Sequence, residues 1–311
     1  MSKITILGAG HVGSHCAYAL AQPMFCDEIV LVDQDRDKAV AQALDVTDSL
    51  SFAPRAAVVR AGDYSDVVDS DIVCCAIGEA RKPGQTRLDM MDRSVEMCDE
   101  LIGQLRPYPI RGILISITNP CDIIADYLRK NLKMDWHRIF GTGTLLDTAR
   151  LIRALSLRAG VARSSIQAFS MGEHGDSSMI PFSAIRIGGK PFAECGLSRE
   201  ELLEDTRQSG MTIIEGKKST EFGIGRAFAE MAACILRDEK RVLPASVLLD
   251  GQYGQRDLHA GVPCRIGRNG IEEIIELPLD TAEKAQFDKS CEIIRGHIRR
   301  AEEIGHPEGR G

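Results

Sequence analysis

No apolar run in this 311-residue chain approaches the roughly 20 residues that a membrane-spanning helix needs. Met1 to Lys3 lead straight into an apolar, β-rich stretch, without the charged, apolar and small-residue regions of a signal peptide. Positive charge is not in excess either: 38 Lys and Arg stand against 45 Asp and Glu, a net charge of −7. The basic residues are spread along the chain, so the concentrated positive field that nucleic acid or an anionic membrane demands is missing. A soluble, cytoplasmic protein with neither of those partners is expected. Ten cysteines are present but no CxxC pair. Cys16, Cys74, Cys75, Cys121 and Cys234 sit inside apolar stretches and read as reduced core residues rather than disulfide partners or metal ligands. Repeats and low-complexity tracts are absent, and 44% apolar content with 5% aromatics suits an ordinary soluble enzyme.

What is present is an alternation of strand-like and helix-like segments, the grammar of a parallel sheet with crossover helices. Apolar β-rich runs fall at residues 4–7, 28–33, 57–60, 71–76, 112–117 and 138–140. Helical stretches fall between them at 12–21, 36–50, 88–105 and 121–130. The near-continuous apolarity of the strands implies burial on both faces, so the fold class is α/β, a doubly wound parallel sheet of Rossmann type. After Gly141 the pattern changes to helices at 145–157, 200–215, 223–237 and 281–303, with shorter strands broken by turn residues such as Gly188-Gly189 and Asn269-Gly270. Two domains are expected: a dinucleotide-binding unit at 1–141 and an α+β unit at 142–311.

Gly8-Ala9-Gly10-His11-Val12-Gly13 forms G-x-G-x-x-G directly after the first strand and at the opening of the first helix. Gly8 permits the turn, Gly10 lets a pyrophosphate reach the backbone, and Gly13 allows helix and strand to pack closely. The second strand ends on Asp33, placed to accept from the adenosine ribose hydroxyls and to repel a 2′-phosphate. The cofactor is therefore read as NAD rather than NADP.

Four clusters downstream carry the groups a ketone reduction requires: Arg81 to Arg87, Ser116 to Pro120 with Asn119, Asp147 to Arg150, and Gly172 to Ser177 with His174. Such a reaction needs a proton donor at the carbonyl oxygen, a cation for the substrate carboxylate, and a donor that stabilises developing charge. Asp147 and Arg150, one turn apart, share a helix face. Together the motifs resemble the L-lactate/L-malate dehydrogenase family from Ile4 to about Ile304. The resemblance implies that His174 is the acid/base, oriented by Asp147. Arg150 would grip the substrate carboxylate, Arg87 on a mobile loop would polarise the carbonyl, and Asn119 would orient the substrate oxygen beside the nicotinamide. It further implies that Thr220 lines the substrate pocket, that Val12, Lys38, Tyr64, Gly78, Asn119 and Thr142 contact NAD, that no metal is used, and that the protein is a homodimer or homotetramer acting on a small 2-keto/2-hydroxy acid.

Arg81, six residues before Arg87, occupies the position where this family selects its substrate, with glutamine typical of lactate enzymes and arginine of malate enzymes. A second guanidinium suits the distal carboxylate of oxaloacetate, and leaving it unpaired over pyruvate costs free energy. The expectation leans to malate. Thr220 and the Gly-Glu-His-Gly-Asp-Ser run point instead to lactate, and a bulkier L-2-hydroxy acid stays open. Ile152 and Gln167 stand where allosteric lactate enzymes of bacteria carry an arginine and a histidine, so activation by fructose 1,6-bisphosphate is not expected. Metal-using NAD-dependent glycosidases share the Rossmann start, but the set of Asp147, Arg150, Arg87 and His174 argues against them. An NAD-binding sensor without turnover is the distant alternative.

Overall fold

A computed structural model of the chain describes residues 2–22, 25–53, 55–79 and 87–305, with backbone alone at 87–89. In its first half, β1 (Lys3–Leu7), α1 (His11–Ala21), β2 (Glu28–Val32), α2 (Arg36–Ser49), β3 (Val58–Ala61), β4 (Ile72–Cys75), α3 (Arg87–Leu105), β5 (Ile113–Ser116), α4 (Cys121–Leu132) and β6 (Ile139–Gly141) follow in turn. The strands pair in parallel in the order β3-β2-β1-β4-β5-β6. β1, β4, β5 and β6 are buried along their whole length, as a sheet covered on both faces requires. Lys3 is tolerated inside β1 because its Nζ meets Asp66 at 2.9 Å and Asp69 at 2.6 Å.

The second half continues with α5 (Leu145–Ala159), short strands β7 (Ile166–Gln167), β8 (Arg186–Ile187) and β9 (Lys190–Pro191), then α6 (Arg199–Lys217) and α7 (Phe222–Leu236). After these come β10 (Arg241–Asp250), β11 (Arg256–Gly267), β12 (Gly270–Ile274) and α8 (Thr281–Gly305). The expectation of only short strands here is corrected. β10 and β11 form a hairpin of 10 and 12 residues, and β10 pairs with β6, so the first sheet grows to nine strands. Proline hid this in the sequence, since Pro244 and Pro263 interrupt the pattern. The two face each other across the ladder, so residues lacking an N–H share one position. β7, β8 and β9 make a separate small sheet over a second apolar cluster that includes Leu151, Leu155, Phe182 and Phe192. No described helix is long and apolar enough to cross a membrane.

Candidate active site

The turn between β1 and α1 is shaped by close approach. A Cβ on Gly13 would stand 1.8 Å from the Gly8 carbonyl oxygen, and one on Gly8, at φ +103°, would stand 2.6 Å from that of Ala76. A Cβ on Gly10 meets nothing closer than Lys38 Nζ at 4.0 Å, leaving open space over the first turn of α1. Among the described residues no side chain caps that turn at Gly10, which suits amides that would face a pyrophosphate. Asp33 turns toward the glycine turn, where Oδ2 accepts from the Ala9 amide at 2.7 Å and lies 3.3 Å from Lys38 Nζ. Gly78 is exposed with open space where its side chain would be, and Val12 and Tyr64 are partly buried against the core. Thr142, by contrast, is 2% exposed, with its hydroxyl 3.9 Å from Cys121 Sγ. These residues fit a dinucleotide at the C-terminal edge of the sheet.

Beside this edge, α5 presents Asp147 and Arg150. His174 Nδ1 stands 2.6 Å from Asp147 Oδ2, and Arg150 Nη1 stands 3.0 Å from Oδ1 of the same carboxylate. An ionised carboxylate only accepts, so Nδ1 carries the proton and donates, which leaves Nε2 for a ligand. Burial opposes a charge on His174, yet the adjacent Asp147 carboxylate wins and holds the imidazole above its ordinary value. Burial likewise pushes Asp147 up, and His174 and Arg150 more than reverse it, so Asp147 stays below the usual carboxylate range.

Asn119, joined to Pro120 by a cis peptide bond, is exposed in the loop between β5 and α4. Thr220 is partly buried in the α6–α7 connection. Arg81 lies outside the described residues. Arg87 opens α3, but its side chain is likewise outside the description.

Sequence reading missed Asp122. It sits 1% exposed in the first turn of α4, where its Oδ2 accepts from the His174 amide at 2.8 Å and its Oδ1 from the Ser246 hydroxyl at 2.5 Å. Burial pushes its carboxyl up to about 6 despite both hydrogen bonds. In sequence it is indistinguishable from an acidic residue placed to suit a helix N-terminus. Asp126, one turn on, is also buried and meets the fully buried His259 at 3.0 Å and Lys130 at 2.8 Å. Among the described residues, no cluster of three or more His, Cys, Asp or Glu side chains is placed to hold a metal ion.

The family described as lactate/malate dehydrogenase, NAD binding domain matches residues 2–141, and its alpha/beta C-terminal domain matches residues 144–304. The chain is 39% identical over 308 residues to L-lactate dehydrogenase 3 of Bacillus cereus, covering 96% of this chain and 97% of that one. It is 38% identical over 305 residues to an L-lactate dehydrogenase of Fusobacterium nucleatum, covering 95% and 96%. Among solved structures, the ligand-bound minor L-lactate dehydrogenase of Enterococcus mundtii superposes with a TM-score of 0.93 at 32% identity, covering 96% of this chain and 98% of that one. A lactate dehydrogenase enzyme from a Medee basin deep-sea metagenome library gives 0.92 at 33%, covering 97% and 99%. With matches spanning both halves of the sequence, the chain belongs to the lactate/malate dehydrogenase family, NAD-dependent oxidoreductases that act on a CH–OH group.

Proposed function

We propose that the protein interconverts pyruvate and L-lactate. The observation that carries this reading is the set of relatives at 36–39% identity, spanning 94–96% of the chain, that are L-lactate dehydrogenases. They favour lactate over the malate preference that Arg81 suggested. Malate remains the second reading, because Arg81 supplies a cation suited to a distal carboxylate.

Bound NADH would supply the hydride for C2 of the keto acid. Arg150 holds the C1 carboxylate through a charge-assisted pair, leaving Asp147 to do so. Arg87 polarises the carbonyl, and Asn119 and Thr220 bound the space around C2 and C3. Protonated His174 gives its Nε2 proton to the keto oxygen, and Asp147 stabilises the imidazolium beforehand and holds the ring in place. In the reverse direction neutral His174 takes the hydroxyl proton. Gly8, Gly10, Val12, Gly13, Asp33, Lys38, Tyr64 and Gly78 form the cofactor side, with Thr142 acting from beneath the surface. The division into a cofactor half at 1–141 and a substrate half at 142–311 belongs to the same proposal. So does assembly as a homodimer or homotetramer, in which a second copy would cover Val40 and Leu44, exposed one turn apart on α2.

The test compares kcat/KM for NADH oxidation with pyruvate, oxaloacetate and 2-ketoisocaproate in the parent and in Arg81→Gln. Preference for pyruvate in the parent supports the proposal. Preference for oxaloacetate that moves toward pyruvate in the variant establishes the malate reading instead.

A further inference from the structure

Three consecutive amides of the turn that carries His174 are held by three different elements. Gly172 N donates to the Gly261 carbonyl of β11 at 2.9 Å, Glu173 N to the Ser290 hydroxyl of α8 at 2.8 Å, and His174 N to Asp122 of α4 at 2.8 Å. The middle contact belongs to a larger circuit. Ser177 Oγ lies 2.5 Å from Glu173 Oε2 and 3.0 Å from Ser290 Oγ. The ionised carboxylate only accepts, so the Ser177 hydroxyl donates to it, and the Ser290 hydroxyl must then donate to Ser177. The hydrogen bonds therefore run in one direction, from the Glu173 amide to Ser290, on to Ser177, and back to the Glu173 carboxylate.

Ser290 is 0% exposed, so it has no water to replace these partners. The approach of α8 is also built into the turn. Gly172 adopts φ +86°, and a Cβ there would fall 2.5 Å from Ser290 Oγ. Any other residue at 172 would push the hydroxyl away from the turn.

We infer that Ser290, on the C-terminal helix, is a positioning residue for His174. By closing the circuit across Glu173 and Ser177 it fixes the turn at the residue next to the one Asp122 holds, and so sets the ring of His174 on Asp147. A misplacement of about 1 Å in such a group costs on the order of 100-fold in rate, which leaves room for a large effect from a side chain that touches no substrate. The inference rests on His174 being the proton donor and not on which keto acid is reduced.

The experiment compares the parent with Ser290→Ala, Ser177→Ala and His174→Asn. Turnover with pyruvate and with oxaloacetate, the pH profile of kcat/KM, and NADH binding by fluorescence are read in each. Ser290→Ala should lower kcat by about tenfold or more while NADH affinity stays within about twofold. It should also move the pH midpoint downward, because a ring displaced from Asp147 loses part of the pull that holds its proton. Ser177→Ala should change both quantities in the same direction. Unchanged kcat and pH midpoint in Ser290→Ala, even with a lower Tm, would reduce the serine to a structural contact and overturn the inference. If Ser290→Ala does not fold, Ser177→Ala decides by the same two readouts. Full turnover in His174→Asn would remove the acid/base reading itself, and this inference with it.

Discussion

Asp147 divides its two carboxylate oxygens between Arg150 and His174: Oδ1 lies 3.0 Å from Arg150 Nη1, and Oδ2 lies 2.6 Å from His174 Nδ1. One partly buried anion thus holds both the proposed substrate clamp and the proposed acid/base. The Arg150 charge opposes protonation of His174 while Asp147 favours it. A substrate carboxylate that neutralises Arg150 should therefore strengthen the hold of His174 on its proton, which couples keto-acid binding to proton uptake.

The pH dependence of the reaction follows from this arrangement. The proposed role of His174 requires it to be protonated for keto-acid reduction, and its value lies above the ordinary 6.5 because of Asp147. Reduction should fall on the alkaline side of that raised value. In Asp147→Asn the pull is lost, so the alkaline limb should move to lower pH and kcat should drop about 100-fold or more. A pH profile of kcat/KM for parent and variant checks both; an unmoved limb would mean that another group sets it.

On the proposed cofactor side, Asp33 and its neighbour Lys38 lie 3.3 Å apart. Asp33→Ser removes the charge that repels a 2′-phosphate and frees the lysine to meet it. The ratio of kcat/KM for NADPH over NADH should rise about tenfold or more. Adding Lys38→Ala should cancel most of that gain, as steady-state rates with the two cofactors would show.

Away from the site, His259 makes stability sensitive to acid. Burial depresses its imidazole below 6.5 despite Asp126, and among the described residues its Nε2 has no partner to receive a second proton. The unfolded chain takes up that proton more readily, so this contribution is complete above about pH 6.5 and shrinks as the pH falls toward the depressed folded value. His259→Gln can keep an N–H toward Asp126 but does not titrate. It should recover stability of order 1 kcal/mol at pH 5 relative to pH 7, measured by denaturant unfolding at the two values. An identical decline in parent and variant would count against the assignment.

The parallel half of the fold was legible because its signals are local. Strand apolarity, the spacing of Gly8, Gly10 and Gly13, and Asp33 at the end of its strand are all set within short stretches of chain. β3 was read one residue early, at 57–60 rather than 58–61, and the ends of α6 and α8 fell short by a similar margin, since fraying ends carry weak signals. The long hairpin was not legible, because Pro244 and Pro263 are ladder breakers until the register sets them opposite each other. Arg81 marked a substrate preference in sequence that the related proteins do not favour.

The amino-acid sequence by itself determined the dinucleotide turn and the family, and it singled out His174, Asp147 and Arg150, which the fold brings together, because each stands in a short run of distinctive residue types. Tertiary structure alone decided what surrounds them. Asp122 and Ser290 reach the His174 turn across 52 and 116 positions of sequence respectively, and Ser246 holds Asp122 from behind. A lone aspartate in a helix start or a lone serine in a last helix carries no pattern. Their part in the site arises only when burial removes water and leaves each amide one protein partner.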